Sequence, residues 1–183
     1  KKSYDRFNQI VCVSSMLKQT FLKTVSNQKP TTVLYNTNDS THICQLSSQP
    51  VEDEEYAEGL RLISVGKITP VKSFDRLVRI HARLRREGYL IHTSILGTGE
   101  QQKEMELLCK RLQVSDSVSF LGYQTNPYRY VAKADLYICS SLSEGFSTSV
   151  TEALIVGTPV CTVEVSGMKE MLGERNEYGV VTE

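Results

Sequence analysis

Two glutamates eight positions apart, Glu144 and Glu152, bracket the run Gly145–Phe146–Ser147–Thr148–Ser149. Gly145 and the small hydroxyl residues place unpaired backbone N–H groups at the start of a helix. Such a start attracts anions through those N–H groups and through the helix dipole. Carboxylates are poor anion ligands but good acceptors for hydroxyl groups. The pattern therefore suits a ligand in which sugar hydroxyls flank a diphosphate. A second segment points the same way. Val65–Gly66–Lys67–Ile68–Thr69–Pro70–Val71–Lys72–Ser73 carries a glycine that lets backbone approach a ligand closely. Its two lysines can converge on one anion from a loop and the helix it opens.

Each segment also has a plainer reading, and the residues alone leave both open. Gly66–Ser73 reads equally as a turn with solvated lysines. Ser149-x-x-Glu152 is also a capping box, in which Glu152 satisfies a backbone N–H of its own helix. Glu144 reads as an exposed loop acid. Other chemistries find less support. Gly97-x-Gly99 follows a strand and precedes a helix, but Gln102 stands where a dinucleotide-binding turn needs its third glycine. Lys67 is followed by Ile68, which breaks a phosphate-binding Walker pattern. No Asp-x-Asp is present to hold a metal-chelated diphosphate.

The elements that must position these residues are an alternation of strands and helices. Leu60–Val65, Leu90–Leu96, Ser117–Leu121, Leu136–Ser140, Val160–Val163 and Tyr178–Val181 read as strands. Between them lie helices with apolar stripes at Phe74, Leu77, Val78, His81 and Leu84, and at Met105, Leu108, Cys109 and Leu112. Another helix has Asn126 as its cap and Pro127 in its first turn. Ser149 to Val156 is the helix behind the glutamates, stopped by Gly157 and Pro159. Met168–Leu172 is a short helix. Strict alternation with short loops predicts an α/β, doubly wound, Rossmann-like parallel sheet, with ligands at the carboxyl ends of its strands. Both charged segments fall there. Upstream, Ile10–Val13 and Thr32–Tyr35 read as strands around a helix from Ser14 to Val25. The polar stretch Asn36–Glu58, with the acidic cluster Glu52 to Glu55, reads as a linker. The expected division is residues 1–58 as the end of a preceding domain with a linker, and 59–183 as the binding domain, cut short at its C-terminal end. The absence of an initiator methionine at Lys1 and the stop at Glu183 fit an excised fragment.

Composition narrows the class. Of 183 residues, 21 are basic and 21 acidic, so no polyanion partner such as nucleic acid is expected. The five cysteines are scattered and never form a CxxC pair, which suits a reducing, cytoplasmic compartment without disulfides or a zinc site. No apolar run approaches the roughly 20 residues of a membrane span. His81, on an apolar stripe, reads as a satisfied core histidine.

In order along the chain, "IVCVSSMLKQTF", "LISVGKITPVKSFDRLV", "ILGTGEQQKEMELLCKRL", "VSFLGY", "ADLYICSSLSEGFSTSVTEAL" and "GTPVCTVEVSGMKEML" resemble the retaining GT-B glycosyltransferases of group 1, in particular the bacterial set with a Glu-x7-Glu motif. The resemblance covers nearly the whole chain and implies the C-terminal, donor-binding half of a GT-B fold. It also implies roles. Lys67 and Lys72 would neutralise the donor diphosphate, beside the glycine loop at Gly66, and Ser147 and Thr148 would offer it backbone donors. Glu144, Gly145 and Phe146 would contact the transferred sugar, and Glu152 the ribose hydroxyls. Tyr123 and Gln124 lie where the family places its base. Glu144, Lys72 and Lys67 would be the catalytic groups. Two departures stand out: Lys67 replaces the commoner arginine, and Ser73 replaces glycine after Lys72.

The implied reaction moves a sugar from a UDP- or GDP-type donor to an acceptor hydroxyl with retention, in cell-surface polysaccharide or glycolipid synthesis, with no metal and no further cofactor. The acceptor sugar, lipid or protein would sit on the N-terminal domain, and the full-length protein could associate peripherally with the inner face of the membrane. The fragment alone is expected to bind donor weakly and transfer nothing. A nucleotide-sugar epimerase-like enzyme and a non-catalytic nucleotide-binding or scaffold domain are the alternatives.

Overall fold

The β-branched runs form strands and the stripes of period 3.6 form helices, as the residue pattern requires. A computed structural model describes residues 4–25, 29–51, 58–165, 167–173 and 175–182. The acidic cluster Glu52–Glu55 lies outside the described residues. The first elements are β1 (Ile10–Cys12), α1 (Ser15–Thr24), β2 (Thr31–Val33) and α2 (Ser40–Ser47). Then follow β3 (Leu60–Val65), α3 (Phe74–Arg86), β4 (Ile91–Leu96), α4 (Gln102–Leu112) and β5 (Val118–Gly122). The rest are α5 (Tyr128–Val131), β6 (Leu136–Cys139), α6 (Thr148–Ile155), β7 (Val160–Val163), α7 (Met168–Leu172) and β8 (Val180–Thr182).

Strands β3 to β8 make one six-stranded sheet in the order β5-β4-β3-β6-β7-β8, and every pairing is parallel. The order reverses between β3 and β6, which opens a crevice at their carboxyl ends. Successive residues of a strand face opposite sides. On β4, Ile95 joins the core beneath α3 and α4, with Phe74, Leu77, Val78, Met105 and Leu108. Its neighbour Leu96 joins the core on the other face, with Val131, Val150, Ala153, Met168 and Leu172. Both faces of the sheet are thus covered at β4, while beside α3 one face of β3, β6 and β7 carries an apolar groove lined by Leu62, Leu136, Ile138 and Cys161.

His81 is fully buried, with Nδ1 2.7 Å from the Thr93 hydroxyl and Nε2 2.9 Å from that of Ser117. Burial, with Arg85 and His92 nearby, pushes its pKa down from 6.5 to about 4 against a small opposing effect of Asp116. It is a neutral core residue, as its place on the stripe predicted.

Two local expectations change. The stretch read as a polar linker contains α2, whose start is capped by Asp39: the carboxylate accepts the His42 N–H at 3.0 Å. Helix α2 packs on α5 and α6 behind the crevice. Asn126 is not a helix cap. Its Nδ2 donates to the Leu46 carbonyl and to Gln49 Oε1, both at 2.9 Å, and so ties the end of α2 to the loop before α5.

Candidate functional site

A cavity of about 560 Å³ opens at the carboxyl ends of β3, β4 and β5. Gly66, Lys67, Tyr123, Gln124 and Glu152 line it, so five of the residues singled out in the sequence share one wall set. Lys67 is exposed and has no hydrogen-bond or ion-pair partner among the described residues. Tyr123 is 76% exposed and offers its ring to the opening. Gln124 is already engaged: its Nε2 donates to the Leu121 carbonyl at 2.7 Å and its Oε1 accepts from Tyr130 at 3.2 Å.

The lining also includes Gly97, Thr98, Gly99, Thr125, Pro127 and Tyr128, which the residue pattern did not assign to a site. The glycines explain themselves. Gly97 has φ +130°, and a Cβ there would overlap the Gly66 carbonyl oxygen; a Cβ on Gly99 would overlap that of Ile68. The Gly97-x-Gly99 turn therefore exists to let the loop after β4 lie flat on the loop after β3. Two backbone bonds, Gly66 N–H to Leu96 at 2.9 Å and Ile68 N–H to Thr98 at 3.0 Å, fasten the two loops together.

Lys72, Glu144, Gly145, Phe146, Ser147 and Thr148 do not line that cavity. They form an adjoining ledge, joined to it where the Lys72 stem passes Gly66: its Cε would lie 3.1 Å from a Cβ on that glycine. Lys72 Nζ is 2.7 Å from Glu144 Oε1, in a pair whose side chains are only 24% and 12% exposed. Ser141 donates to the same oxygen at 2.6 Å. The turn bearing Lys72 is pinned by the Ser140 hydroxyl on the Lys72 carbonyl (2.9 Å) and by the Leu142 N–H on that of Val71 (2.8 Å). Ser73 has φ +49° and ψ +47°, a left-handed conformation that glycine adopts without cost. Its hydroxyl bonds Asp75 at 3.1 Å.

Helix α6 starts at Thr148 from the buried, extended Ser147, and no side chain caps it. The capping-box reading of Glu152 is thereby corrected, because Glu152 sits two positions further into the helix than a capping box requires. Its Oε1 instead accepts from the Tyr128 hydroxyl at 3.4 Å. Burial raises the Glu152 carboxyl above its usual range, against the Tyr128 bond. The two glutamates are thus differently placed, one neutralised by a lysine and the other half-buried with a single long bond. The loop between them rests on the N-terminal elements: a Cβ on Gly145 would meet Val13 and Leu17 at 3.7 Å, and Phe146 faces Tyr35 with ring centroids 5.5 Å apart. Among the described residues no three His, Cys, Asp or Glu side chains gather to hold a metal ion, and no helix is long and apolar enough to cross a membrane.

The sequence profile of the family described as "Glycosyl transferases group 1" matches residues 47–183. The chain belongs to this glycosyltransferase family. It is 34% identical over 152 residues to the N-acetylgalactosamine-N,N'-diacetylbacillosaminyl-diphospho-undecaprenol 4-alpha-N-acetylgalactosaminyltransferase of Campylobacter jejuni, covering 82% of this chain and 40% of that protein. It is 28% identical over 128 residues to the amylovoran biosynthesis glycosyltransferase AmsK of Erwinia amylovora, covering 66% of this chain and 31% of that one. In three dimensions it resembles Anabaena HepE, solved in complex with UDP-glucose, with a TM-score of 0.81 at 22% identity, over 99% of this chain and 51% of that one. The glycosyltransferase chain thus spans less than half the length of these curated relatives and has the fold of the C-terminal half of a GT-B enzyme.

Proposed function

We propose that this chain is the donor-binding half of a glycosyltransferase that moves a sugar from a nucleoside diphosphate to an acceptor hydroxyl with retention of configuration. The observation that carries the reading is the cavity at the strand ends, which Lys67, Tyr123 and Glu152 of α6 line together. Its volume suits a nucleotide-sized ligand. The diphosphate would lie against Lys67, Lys72 and the N–H groups at Ser147 and Thr148, and these preorganised groups would stabilise the charge that builds on it as it leaves. Glu152 would accept the ribose hydroxyls, Tyr123 and Gln124 would border the base, and Glu144 with Gly145 and Phe146 would meet the sugar. We assign no cofactor beyond the donor. The spacing of Glu144 and Glu152 supports placement in the retaining Glu-x7-Glu set, as does the alpha-transferring name of the Campylobacter relative. Two relatives' names, an undecaprenol-linked and an amylovoran enzyme, support a place in polysaccharide or glycolipid synthesis. The acceptor would be held by the part of the relatives that this chain does not span.

Calorimetric titration of UDP, GDP and ADP into the chain tests the reading. One nucleotide should bind, and Lys67→Ala and Glu152→Ala should each weaken it about tenfold, the worth of one charge-assisted contact. Binding of none of the three, or indifference to both substitutions, would refute it.

A further inference from the structure

Glu170, on α7, reaches across to the N-terminal end of α1. Its carboxylate accepts the Ser15 N–H at 3.0 and 3.1 Å and the Met16 N–H at 3.4 Å, and it also accepts the Tyr35 hydroxyl. Helix α1 has no acidic residue in its own first turn, so the positive end of its dipole is met by a carboxylate 155 positions away in sequence. Burial alone would push that carboxyl up, but the bonds from Tyr35, Ser15 and Met16 outweigh it and hold it below the usual range.

The groups that Glu170 grips also touch the ledge. Tyr35 gives its hydroxyl to Glu170 and its ring to Phe146. Helix α1 gives its first N–H groups to Glu170, and its Leu17 packs over Gly145. Helix α7 does not need this contact for its own anchorage, because Met168 and Leu172 are 1% and 0% exposed in the core. The carboxylate therefore acts on how α1 and Tyr35 sit against the loop, more than on whether the sheet folds.

We propose that Glu170 is a positioning residue: it latches α1 and Tyr35 onto the Glu144–Phe146 loop and so fixes the shape of that loop where it meets the donor sugar. The consequence for donor binding rests on the function proposed above; the mechanical coupling does not. Glu170 itself is outside the cavity lining.

Amide hydrogen exchange on the whole chain, compared for wild type, Glu170→Gln, Glu170→Asp and Tyr35→Phe, decides the coupling. Glu170→Gln should speed exchange about tenfold at Ser15 to Leu17 and also at Glu144 to Phe146, with β3 to β6 unchanged. Glu170→Asp should restore part of the protection, and Tyr35→Phe should loosen the loop without freeing α1. Faster exchange confined to α1, with the loop unmoved, would overturn the proposal and leave Glu170 as a helix cap. Titration of UDP and UDP-glucose then tests the consequence. Glu170→Gln should leave UDP affinity within twofold and lower the ratio of UDP-glucose to UDP affinity about fivefold. An unchanged ratio in a chain that binds both would also overturn it. If wild type binds neither, it is the donor-binding reading that fails, and hydrogen exchange alone then supports or overturns the latch.

Discussion

Replacing Lys72 by methionine keeps the stem that passes Gly66 and removes the charge that faces Glu144. At 2.7 Å and an effective dielectric of about 20, the gross attraction is roughly 6 kcal/mol, most of it offset by the cost of drawing both ions from water. Removing one partner of a buried pair costs about 3–5 kcal/mol. Here the side chains keep 24% and 12% of their exposure and Ser141 still donates to the stranded carboxylate, so about 2 kcal/mol is expected. Urea denaturation of wild type, Lys72→Met, Glu144→Gln and the double variant reads this directly. The double variant should recover at least half of the loss, giving a coupling of about 1 kcal/mol or more.

The same variants separate the roles of the pair in binding. An ammonium has three N–H donors, and Glu144 takes one, so Lys72 can serve a phosphate without abandoning its partner. Lys72→Met should weaken UDP binding about tenfold, the loss of one charge-assisted contact. Glu144→Gln should strengthen UDP binding a few-fold, because an anion beside the phosphate site is neutralised, while the extra affinity contributed by a donor sugar is lost. A coupling near zero with both single variants within about 0.5 kcal/mol of wild type would show the pair to be surface decoration. Unchanged UDP affinity in Lys72→Met would remove Lys72 from the site.

Four further outcomes follow from particular residues. Ser73→Gly should stabilise the chain by about 0.5–1 kcal/mol, since relief of the left-handed backbone exceeds the lost Asp75 bond; a fall in melting temperature would contradict this. Because His81 titrates near 4 when folded and near 6.5 when unfolded, stability should fall as pH drops from 6.5 toward 4, by up to about 3 kcal/mol, and His81→Gln should flatten that slope of the urea midpoint against pH; equal slopes would refute it. Gly97→Ala should cost about 3 kcal/mol and abolish nucleotide binding, read by thermal melting and titration, because loop and loop can no longer touch. The raised carboxyl of Glu152 should make nucleotide affinity fall on acidification at a higher pH than an ordinary glutamate would, and Glu152→Gln should remove that step from the pH profile of affinity.

Periodic residues announced their elements. Phe74, Leu77, Val78 and His81 of the α3 stripe are buried where their spacing placed them, whereas β6, read as covered on both faces, buries Tyr137 and Cys139 and leaves Leu136 and Ile138 half-buried along an apolar groove. Helix α2 escaped notice because Ser40–Ser47 is mostly polar and holds one buried side chain, Ile43; only its cap, Asp39, signalled it. In the candidate site, Gly66, Lys67 and Glu152 stood out in the sequence, and the second pair of glycines did not. Gly97-x-Gly99 looked like a defective dinucleotide turn because the partner that requires it, the Gly66–Ile68 loop, lies some 30 residues away in sequence. Tyr128 carried no pattern at all; its meaning comes from the Glu152 carboxylate it bonds across the cavity. The contact of Tyr35 with Phe146 and Glu170 spans still longer separations, and no local signal encodes it.

If the cavity takes a diphosphate as proposed, the charges around it decide which residue would do most for that ligand. Lys72 and Glu144 form a nearly neutral pair whose positive end can be shared but whose negative end remains close by. Glu152 adds a second carboxylate, partly desolvated and without a cation of its own among the described residues. Among the described residues lining the cavity, Lys67 is the cation without a partner, and it stands on the loop that Gly97 and Gly99 hold flat. On the function proposed above, attraction for a diphosphate would therefore rest chiefly on Lys67 and on the amides that open α6, with Lys72 contributing the part of its charge that Glu144 leaves free. A lysine at 67 supplies charge without the two-pronged grip of an arginine, so affinity should be sensitive to salt. Lys67→Arg, by restoring the fork, should raise nucleotide affinity and make it less dependent on ionic strength; titration at low and high salt that showed no change in either would move the burden of the diphosphate back to Lys72.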